Sequence, residues 1–500
     1  MNPFLKKAGI LTGTVWLIII SFTFQVKAQS EASGSDTPQI TLIQAIDMAL
    51  ANNTQMKRAL LSVKDADQQI RTAWSNVMPS IAASATYTRN LEIPVNFIPA
   101  ILFDPNAAEG DLVPVAFGTD NSWNGGFSAS QIIFNGQAFV GISSAELYKS
   151  AQNEALRATS QGIVTQTRIT YYQVLIAQEQ VRLIKAQYDR IKENLDDTKK
   201  LLEQGFTDDY TVLQLEVQLS NVKPQLTNAE FAVENAKREL LDVMGLPLDL
   251  TFIVAGNLSS YDIYSNSYAD EVNKDLKKVD KKNPYLSNND SLMFNQAFEN
   301  RGDLRILDVQ NELQNQQLKA QWSQYLPTVA AQYNLMWTAA QPGTPIFFGT
   351  EDRRARSQVL GLNVQMPLFQ GFKRDAAIQQ TRIRIKDIEL QQHQSERDAV
   401  KELLNAQQTI EEAYLTVEAR QKAIQQAKTG YERAIARQKA GVGSQQEVTD
   451  ANLQLQQAEI GYAQTVFTYL MAKAQYDQAM GKVPFVDDIK YLKKNIELNK

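Results

Sequence analysis

The chain has 500 residues, a formal net charge of −5, a single histidine and no cysteine. The lack of cysteine excludes disulfides, thiolate metal sites and a cysteine-linked lipid anchor, and the mild acidity argues against nucleic acid as a partner. Length alone would suggest three domains, but the chain is one unit of roughly 235 residues written twice.

Residues 1–28 read as a secretory signal peptide. Lys6 and Lys7 form its charged region, Ile10 to Phe24 its apolar core, and Val26-Lys27-Ala28 a small-residue cleavage site. A membrane anchor is the alternative, although this apolar run is shorter than the ~20 residues that span a bilayer. Removing Lys6, Lys7 and Lys27 takes the formal charge from −5 to about −8.

The first repeat, 29–245, opens with an amphipathic helix expected over 42–78 and ended by Pro79. The apolar period then changes to two. Over 80–90, Ile81, Ala83, Ala85 and Tyr87 alternate with Ser80, Ala82, Ser84, Thr86 and Thr88, and a second strand over 123–134 carries Trp123, Phe127, Ala129 and Ile133. A loop, 91–122, joins them. A long helix is expected over 137–203, with a heptad-like seam of Val181, Ile184, Tyr188, Ile191, Leu195, Thr198 and Leu202. A tight turn at Gly205 reverses the chain into a helix over 208–245, where Pro224 should kink it or cost ~3 kcal/mol.

A polar connector over 246–290 separates this unit from the second repeat, 291–482. The same order recurs there: helix 292–326 ended by Pro327, strands 328–338 and 357–368 around a loop at 339–356, long helix 372–440, a turn at Gly441 and Gly443, and helix 444–481. A tail, 483–500, closes the chain. Trp74, Ser75 and Pro79 match Trp322, Ser323 and Pro327 at an offset of 248, whereas Phe134 and Gly136 match Phe369 and Gly371 at 235. Gly205, Val212, Met244 and Gly245 match Gly441, Val448, Met480 and Gly481 at 236. The first copy is therefore longer by 13 residues between its strands, where insertions are tolerated at an exposed end.

Lengths constrain the arrangement. At 1.5 Å per residue the long helices span about 100 Å and the shorter ones about 55 Å, so two short helices stacked end to end match one long one. An ordinary half-buried sheet under helices is the bland reading of the strands, but helices of about 100 Å can only project from so short a sheet. Strands with one apolar and one small polar face instead suit a barrel with a wet interior. Tyr87, Trp123 and Trp337 near the loop ends, and Phe134 and Phe369 near the helix ends, would form its interfacial aromatic girdles. Four strands cannot close without leaving edges in lipid, so the barrel must be shared between chains. Two chains give eight strands and an interior filled by side chains, whereas three give twelve and room for a channel.

The chain resembles the TolC family of outer-membrane efflux and secretion ducts. The resemblance rests on Ala49-Leu50 with Asn52 and Asn53, Met78-Pro79-Ser80, Phe134 with Gly136, and Gly441 with Ser444, Glu447 and Val448, in matching order over nearly all of the mature chain. It implies a mixed α and β membrane protein with internal duplication: a homotrimer whose four strands per protomer build an outer-membrane β-barrel, continued by a long α-helical barrel with an equatorial domain. It further implies a passive duct of a tripartite efflux or type I secretion system in the outer membrane of a Gram-negative bacterium. A periplasmic adaptor (membrane fusion) protein would link it to an inner-membrane transporter of the RND, ABC or MFS type.

The same resemblance assigns the two helix turns, through Gly205, Thr207, Val212, Gly441, Gly443, Ser444 and Val448, to adaptor contact. As physics alone these residues are helix-stop and helix-start signals, with Thr207, Asp208 or Ser444 as N-caps. Glu447 and Asp450 lie one turn apart on one helix face, and in the resembled family such acids constrict the entrance. Glu447 has a rival role in a capping box with Ser444, and the first repeat offers only Thr211 and Gln214 at the aligned places. His393, in the polar run QQHQSERD, reads as a solvated helix residue, and neither a metal or cofactor constellation nor an enzyme site is expected. A structural coiled-coil scaffold of the envelope without a pore is the alternative function.

Overall fold

The computed structural model describes residues 38–258 and 288–483. The segment 1–28, most of the connector 246–290 and nearly all of the tail 483–500 lie outside the described residues. In chain order the first half comprises β1 (Gln39–Ile40), α1 (Leu42–Asn52), α2 (Thr54–Ser75), β2 (Ser80–Arg89), β3 (Val95–Pro99), β4 (Leu112–Ala116), β5 (Asn121–Phe134), α3 (Gly136–Glu203) and α4 (Asp209–Met244). After β6 (Ile253–Val254) come α5 (Asn288–Asn300), α6 (Gly302–Ser323), β7 (Thr328–Gln341), β8 (Arg354–Gln365), α7 (Lys373–Lys439) and α8 (Gln445–Ala479).

The helices expected over 42–78 and 292–326 are each two helices. Asn53 leaves the helical region (φ −55°, ψ 132°), and its Oδ1 accepts from the backbone N–H of Gln55 and Met56 to cap α2. Its Nδ2 donates to the Val243 carbonyl at 2.8 Å, tying the break to the end of α4. In the second half Arg301 occupies the break in extended conformation, and its guanidinium pairs with Asp303 and with Glu402 of α7. The breaks make room for helix ends. Gly245 closes α4 in the left-handed region (φ +67°), and a Cβ there would lie 2.5 Å from the Asn52 carbonyl oxygen. Gly481 follows α8 in the same conformation (φ +68°), and a Cβ there would lie 2.6 Å from the carbonyl carbon of Asn300.

The helices form four parallel columns. α3 packs against α2 and α4 on one side and against α6 and α8 on the other, while α7 packs against α6 and α8. Columns built from two shorter segments thus alternate with the continuous α3 and α7. The heptad seam meets α4 as its spacing requires: Ile184, Tyr188, Ile191, Leu195 and Leu202 pack with Val212, Leu215, Leu219 and Val222. α4 is continuous through Pro224, which lies on its exposed side.

The largest core sits at mid-height, where Ile46, Leu240, Leu241 and Met244 meet Val164 of α3, with Tyr469 and Leu470 of α8 in the same cluster. Two polar links are buried with it. Arg168 of α3 reaches Asp477 of α8 at 2.7 Å, and Gln161 of α3 donates to the carbonyls of Asn300 and Gly481 while accepting from the Gly302 N–H. The Tyr171 hydroxyl donates to the Ile40 and Ala255 carbonyls, pinning the short parallel pair β1–β6 to α3.

The main sheet is antiparallel in the order β2-β5-β7-β8. Each strand continues into a helix of the column order, β2 from α2, β5 into α3, β7 from α6 and β8 into α7. Sheet and columns therefore form one ribbon, whose open edges are β2 on one side and β8 on the other. Two sequence expectations need correction here. The loop 91–122 contains the hairpin β3–β4, concealed by Pro94, Pro99 and Pro114, which a two-stranded pair tolerates because each strand is an edge. The loop 339–356 shrinks to 342–353, because β7 and β8 run further toward it than 338 and 357.

Candidate functional site

Two regions carry the chemistry: the paired turns at one end of the ribbon and the sheet at the other. Both turns close by the same hydrogen-bond pattern. The Phe206 N–H donates to the Leu201 carbonyl and the Val442 N–H to the Arg437 carbonyl, across Gly205 (φ +77°) and Gly441 (φ +72°) in the left-handed region. The glycine conformation throws out the next side chain, so Phe206 and Val442 stand 77% and 69% exposed at the tips.

Asp208 caps α4 by accepting from the Thr211 N–H and hydroxyl, and Ser444 caps α8 by accepting from the Glu447 N–H. Thr207 is a half-buried turn residue rather than a cap. Val212 and Val448 are buried one turn further in, Gly443 packs on Arg437, and Gly205 and Gly441 are open to solvent. Glu447 and Asp450 are both exposed on α8. The reciprocal half of the capping box is not formed; the Glu447 carboxylate instead faces Arg437 Nε at 3.5 Å, and Asp450 accepts from Gln446.

The two hairpins are tied to each other above these turns. Lys439 Nζ of α7 lies 3.0 Å from Asp197 Oδ2 of α3, and Asn194 donates to Gln445 at 3.2 Å. Higher up, Arg190 donates to Asn452 and faces Glu459. Lys439, and secondarily Lys200, hold the Asp197 carboxyl below the usual carboxylate range.

In the sheet, register decides which side chains share a face. Ile81, Ala83, Ala85 and Tyr87 pair with Ala129, Phe127, Gly125 and Trp123. These in turn face Tyr333, Leu335, Trp337 and Ala339 of β7. On β8 the same face holds Val364, Leu362, Leu360, Gln358, Arg356 and Arg354. The other face carries Ser80, Ser84, Thr86 and Thr88, then Ser122, Asn124, Ser128 and Ser130, then Gln332, Asn334 and Thr338. One departure from strict alternation is a bulge between Ile132 and Phe134, which leaves Ile133 unpaired and sets Phe134 opposite Val329 on the apolar face.

Of the expected girdle residues, Tyr87, Phe134 and Phe369 are exposed. Trp337 is half-buried, with the Arg356 guanidinium over its ring at 5.9 Å. Trp123 departs from the expectation, being only 7% exposed under Tyr87 and the 342–353 loop. Further aromatic side chains lie exposed at the helix end of the sheet. Trp74, Trp322 and Tyr325 are exposed there, as is Phe372, which stacks edge-on with Phe369. Their signal was present in the sequence, since Trp74 and Trp322 each lie five residues before the proline that ends the helix.

A family model described as outer membrane efflux protein matches residues 45–246 and 293–482. The chain belongs to the outer membrane efflux protein family. Among curated relatives, outer membrane protein TolC of Salmonella enteritidis is 20% identical over 444 residues, 88% of this chain and 82% of that protein. TolC of Escherichia coli (strain K12) is 19% identical over 451 residues, with the same shares covered. Among solved structures, the Campylobacter jejuni CmeC outer membrane channel superposes with a TM-score of 0.69 at 18% identity, covering 94% of this chain and 93% of that one. The open-state MtrE outer membrane channel of Neisseria gonorrhoeae superposes at 0.66 and 16% identity, covering 91% and 94%.

This efflux-family chain is accordingly an outer-membrane protein with the fold of outer-membrane efflux channels. No helix among the described residues is long and apolar enough to cross a membrane. The described residues also contain no group of three or more His, Cys, Asp or Glu side chains placed to hold a metal ion. His393 lies exposed on α7, 3.3 Å from Glu396.

Proposed function

We propose that three copies of this chain join edge to edge into an exit duct, a passive conduit from periplasm to exterior in a tripartite efflux or type I secretion system. The observation that carries the reading is the ribbon with unlike edges. β2 runs from the helix end to the loop end and β8 runs back, so β8 of one copy can pair antiparallel with β2 of the next and continue the alternation. Three copies then supply twelve strands and twelve helical columns around one bore, with the serine and threonine face inward and the apolar face in lipid.

The turns are the distal entrance in this reading. Phe206 and Val442 offer apolar tips to a periplasmic adaptor, alongside Gly205, Thr207, Gly441, Gly443 and Ser444, while the buried Val212 and Val448 hold the turns from inside. The adaptor joins the duct to an inner-membrane transporter of the RND, ABC or MFS type, which selects the cargo. Glu447 and Asp450 set the charge of the entrance, and three copies place six carboxylates around it.

Planar-bilayer recording of the purified protein tests the duct, with Glu447→Ala/Asp450→Ala as the paired variant. Cation-selective conductance that weakens in selectivity when both acids are removed supports the assignment. Unchanged selectivity removes the acids from the entrance, and absence of conductance even after the hairpins are loosened by Lys439→Ala supports a scaffold instead.

A further inference from the structure

We propose that the loop-end rim of the outward sheet face is a binding site for a phosphate-bearing lipid of the outer leaflet. The inference rests on the reading that this face meets outer-membrane lipid, and adds a specific site to it.

Three arginines share that face toward its loop end. Arg354 and Arg356 lie opposite Ala339 and Trp337, which lie opposite Trp123 and Gly125, and Arg89 follows two residues beyond Tyr87. They therefore stand level with the aromatic rim, where lipid headgroups meet the apolar band. Arg89 and Arg356 are exposed and form no ion pair among the described residues. Closing the ring brings Arg89 of the partner subunit toward Arg354 and Arg356, since β2 and β8 are the edges that meet.

Beside the arginines is an apolar notch of about 500 Å³, lined chiefly by Ala85, Tyr87, Trp123, Pro345, Phe347 and Phe348. It is a built feature. Asn121, fully buried, donates to the Gly343 carbonyl, and Asp120 accepts from the Gly343 N–H, so the second loop is stitched to the start of β5. Arg354 donates to the carbonyls of Phe348 and Gly349 and lies over the Phe348 ring at 5.5 Å. These contacts hold Phe348 at φ +57°, a left-handed conformation that is strained in a residue other than glycine, and leave Phe347 88% exposed. A strained loop that presents an aromatic side chain beside uncompensated cations fits an amphiphile with an acyl chain and an anionic head.

Nearby acids do not cancel the rim. Asp120 is engaged by Gly343, Asp352 lies 3.8 Å from Arg353, and Glu351 belongs to the exposed single turn of 3-10 helix before β8.

The test uses full-length protein in detergent, incubated with a bis-phosphorylated acylated glycolipid, its dephosphorylated form, or phosphatidylcholine, and counts retained lipid by native mass spectrometry. Wild type should retain the phosphorylated glycolipid preferentially, and inorganic phosphate should not displace it. Arg89→Gln/Arg356→Gln should weaken retention roughly thirtyfold, given the usual contribution of each basic side chain at a membrane surface, and Phe347→Ser should weaken it with the arginines intact. Equal retention by the double arginine variant, or of phosphorylated and dephosphorylated lipid, would overturn the site; so would displacement by inorganic phosphate. Conductance measured on the same preparations and on Lys439→Ala separates the two readings, since selective retention by a protein that conducts nothing even with the hairpins loosened overturns the duct while supporting the lipid site.

Discussion

Replacing Gly245 with alanine tests the idea that the helix breaks exist to receive the ends of α4 and α8. Gly205 and Gly245 have nearly the same left-handed conformation, φ +77° and +67°, so alanine at either pays the same backbone penalty of about 1–2 kcal/mol. Their surroundings differ. A Cβ on Gly205 meets nothing within 4 Å, whereas one on Gly245 lies 2.5 Å from the Asn52 carbonyl oxygen and 2.9 Å from the Asn53 nitrogen. Both neighbours are backbone in a packed junction, and forcing them apart costs a further 1–3 kcal/mol or so, the usual range for overpacking. Gly245→Ala should therefore lower the guanidinium unfolding midpoint, read by far-ultraviolet circular dichroism under matched conditions, distinctly more than Gly205→Ala. The pair Gly481→Ala and Gly441→Ala repeats the contrast in the second half of the chain. Equal losses at junction and tip would refute the steric argument, and no loss at Gly245 would refute the junction itself.

Arg168→Ala should destabilise by about 1.5–3 kcal/mol in the same unfolding assay, because it removes a buried, charge-assisted hydrogen bond to the Asp477 carboxylate. Pro224→Ala should stabilise the fold by up to ~3 kcal/mol, read as a higher midpoint, since it restores a backbone donor on an exposed helix face. The Lys439–Asp197 link should be independent of pH from 7 down to about 5. Asp197 has a depressed folded pKa, so its stabilising contribution is present above the unfolded value near 3.9 and is lost as pH falls through the folded one. Lys439→Ala should therefore loosen the hairpins at neutral pH, seen as larger conductance, whereas wild type should do so only below about pH 4; wild-type loosening between pH 5 and 7 would argue against this link.

What could be read from the sequence was what depends on residue type and spacing alone. Alternation of Ile81, Ala83, Ala85 and Tyr87 with serines and threonines specifies two faces without reference to anything distant, and the reversals at Gly205 and Gly441 follow from the left-handed backbone they need. The break at Asn53 was hidden because the apolar period runs straight through it, from Ala45, Ile46, Ala49 and Leu50 to Met56, all buried. Only contact with the end of α4, some 190 residues away, gives Asn53 its role. The burial of Trp123 is not legible locally for a similar reason, since a loop of the other half of the chain folds over it. The Arg437–Glu447 and Lys439–Asp197 pairs depend on how the hairpins register, which no local pattern encodes.

The unlike edges β2 and β8 have a consequence for assembly. A ribbon with two different edges that pairs like with like, β2 with β2 or β8 with β8, leaves its other edge raw, so copies add only with β8 of one on β2 of the next, in one rotational sense. One copy has two raw edges, and so has an open pair, because each addition consumes two edges and supplies two. In hydrocarbon every unpaired amide along them costs several kcal/mol, and that penalty does not shrink with growth; it vanishes in a single step, when the last copy closes the ring. In the proposed duct, entry into the membrane would thereby be coupled to completion, with partial rings kept out by the backbone itself.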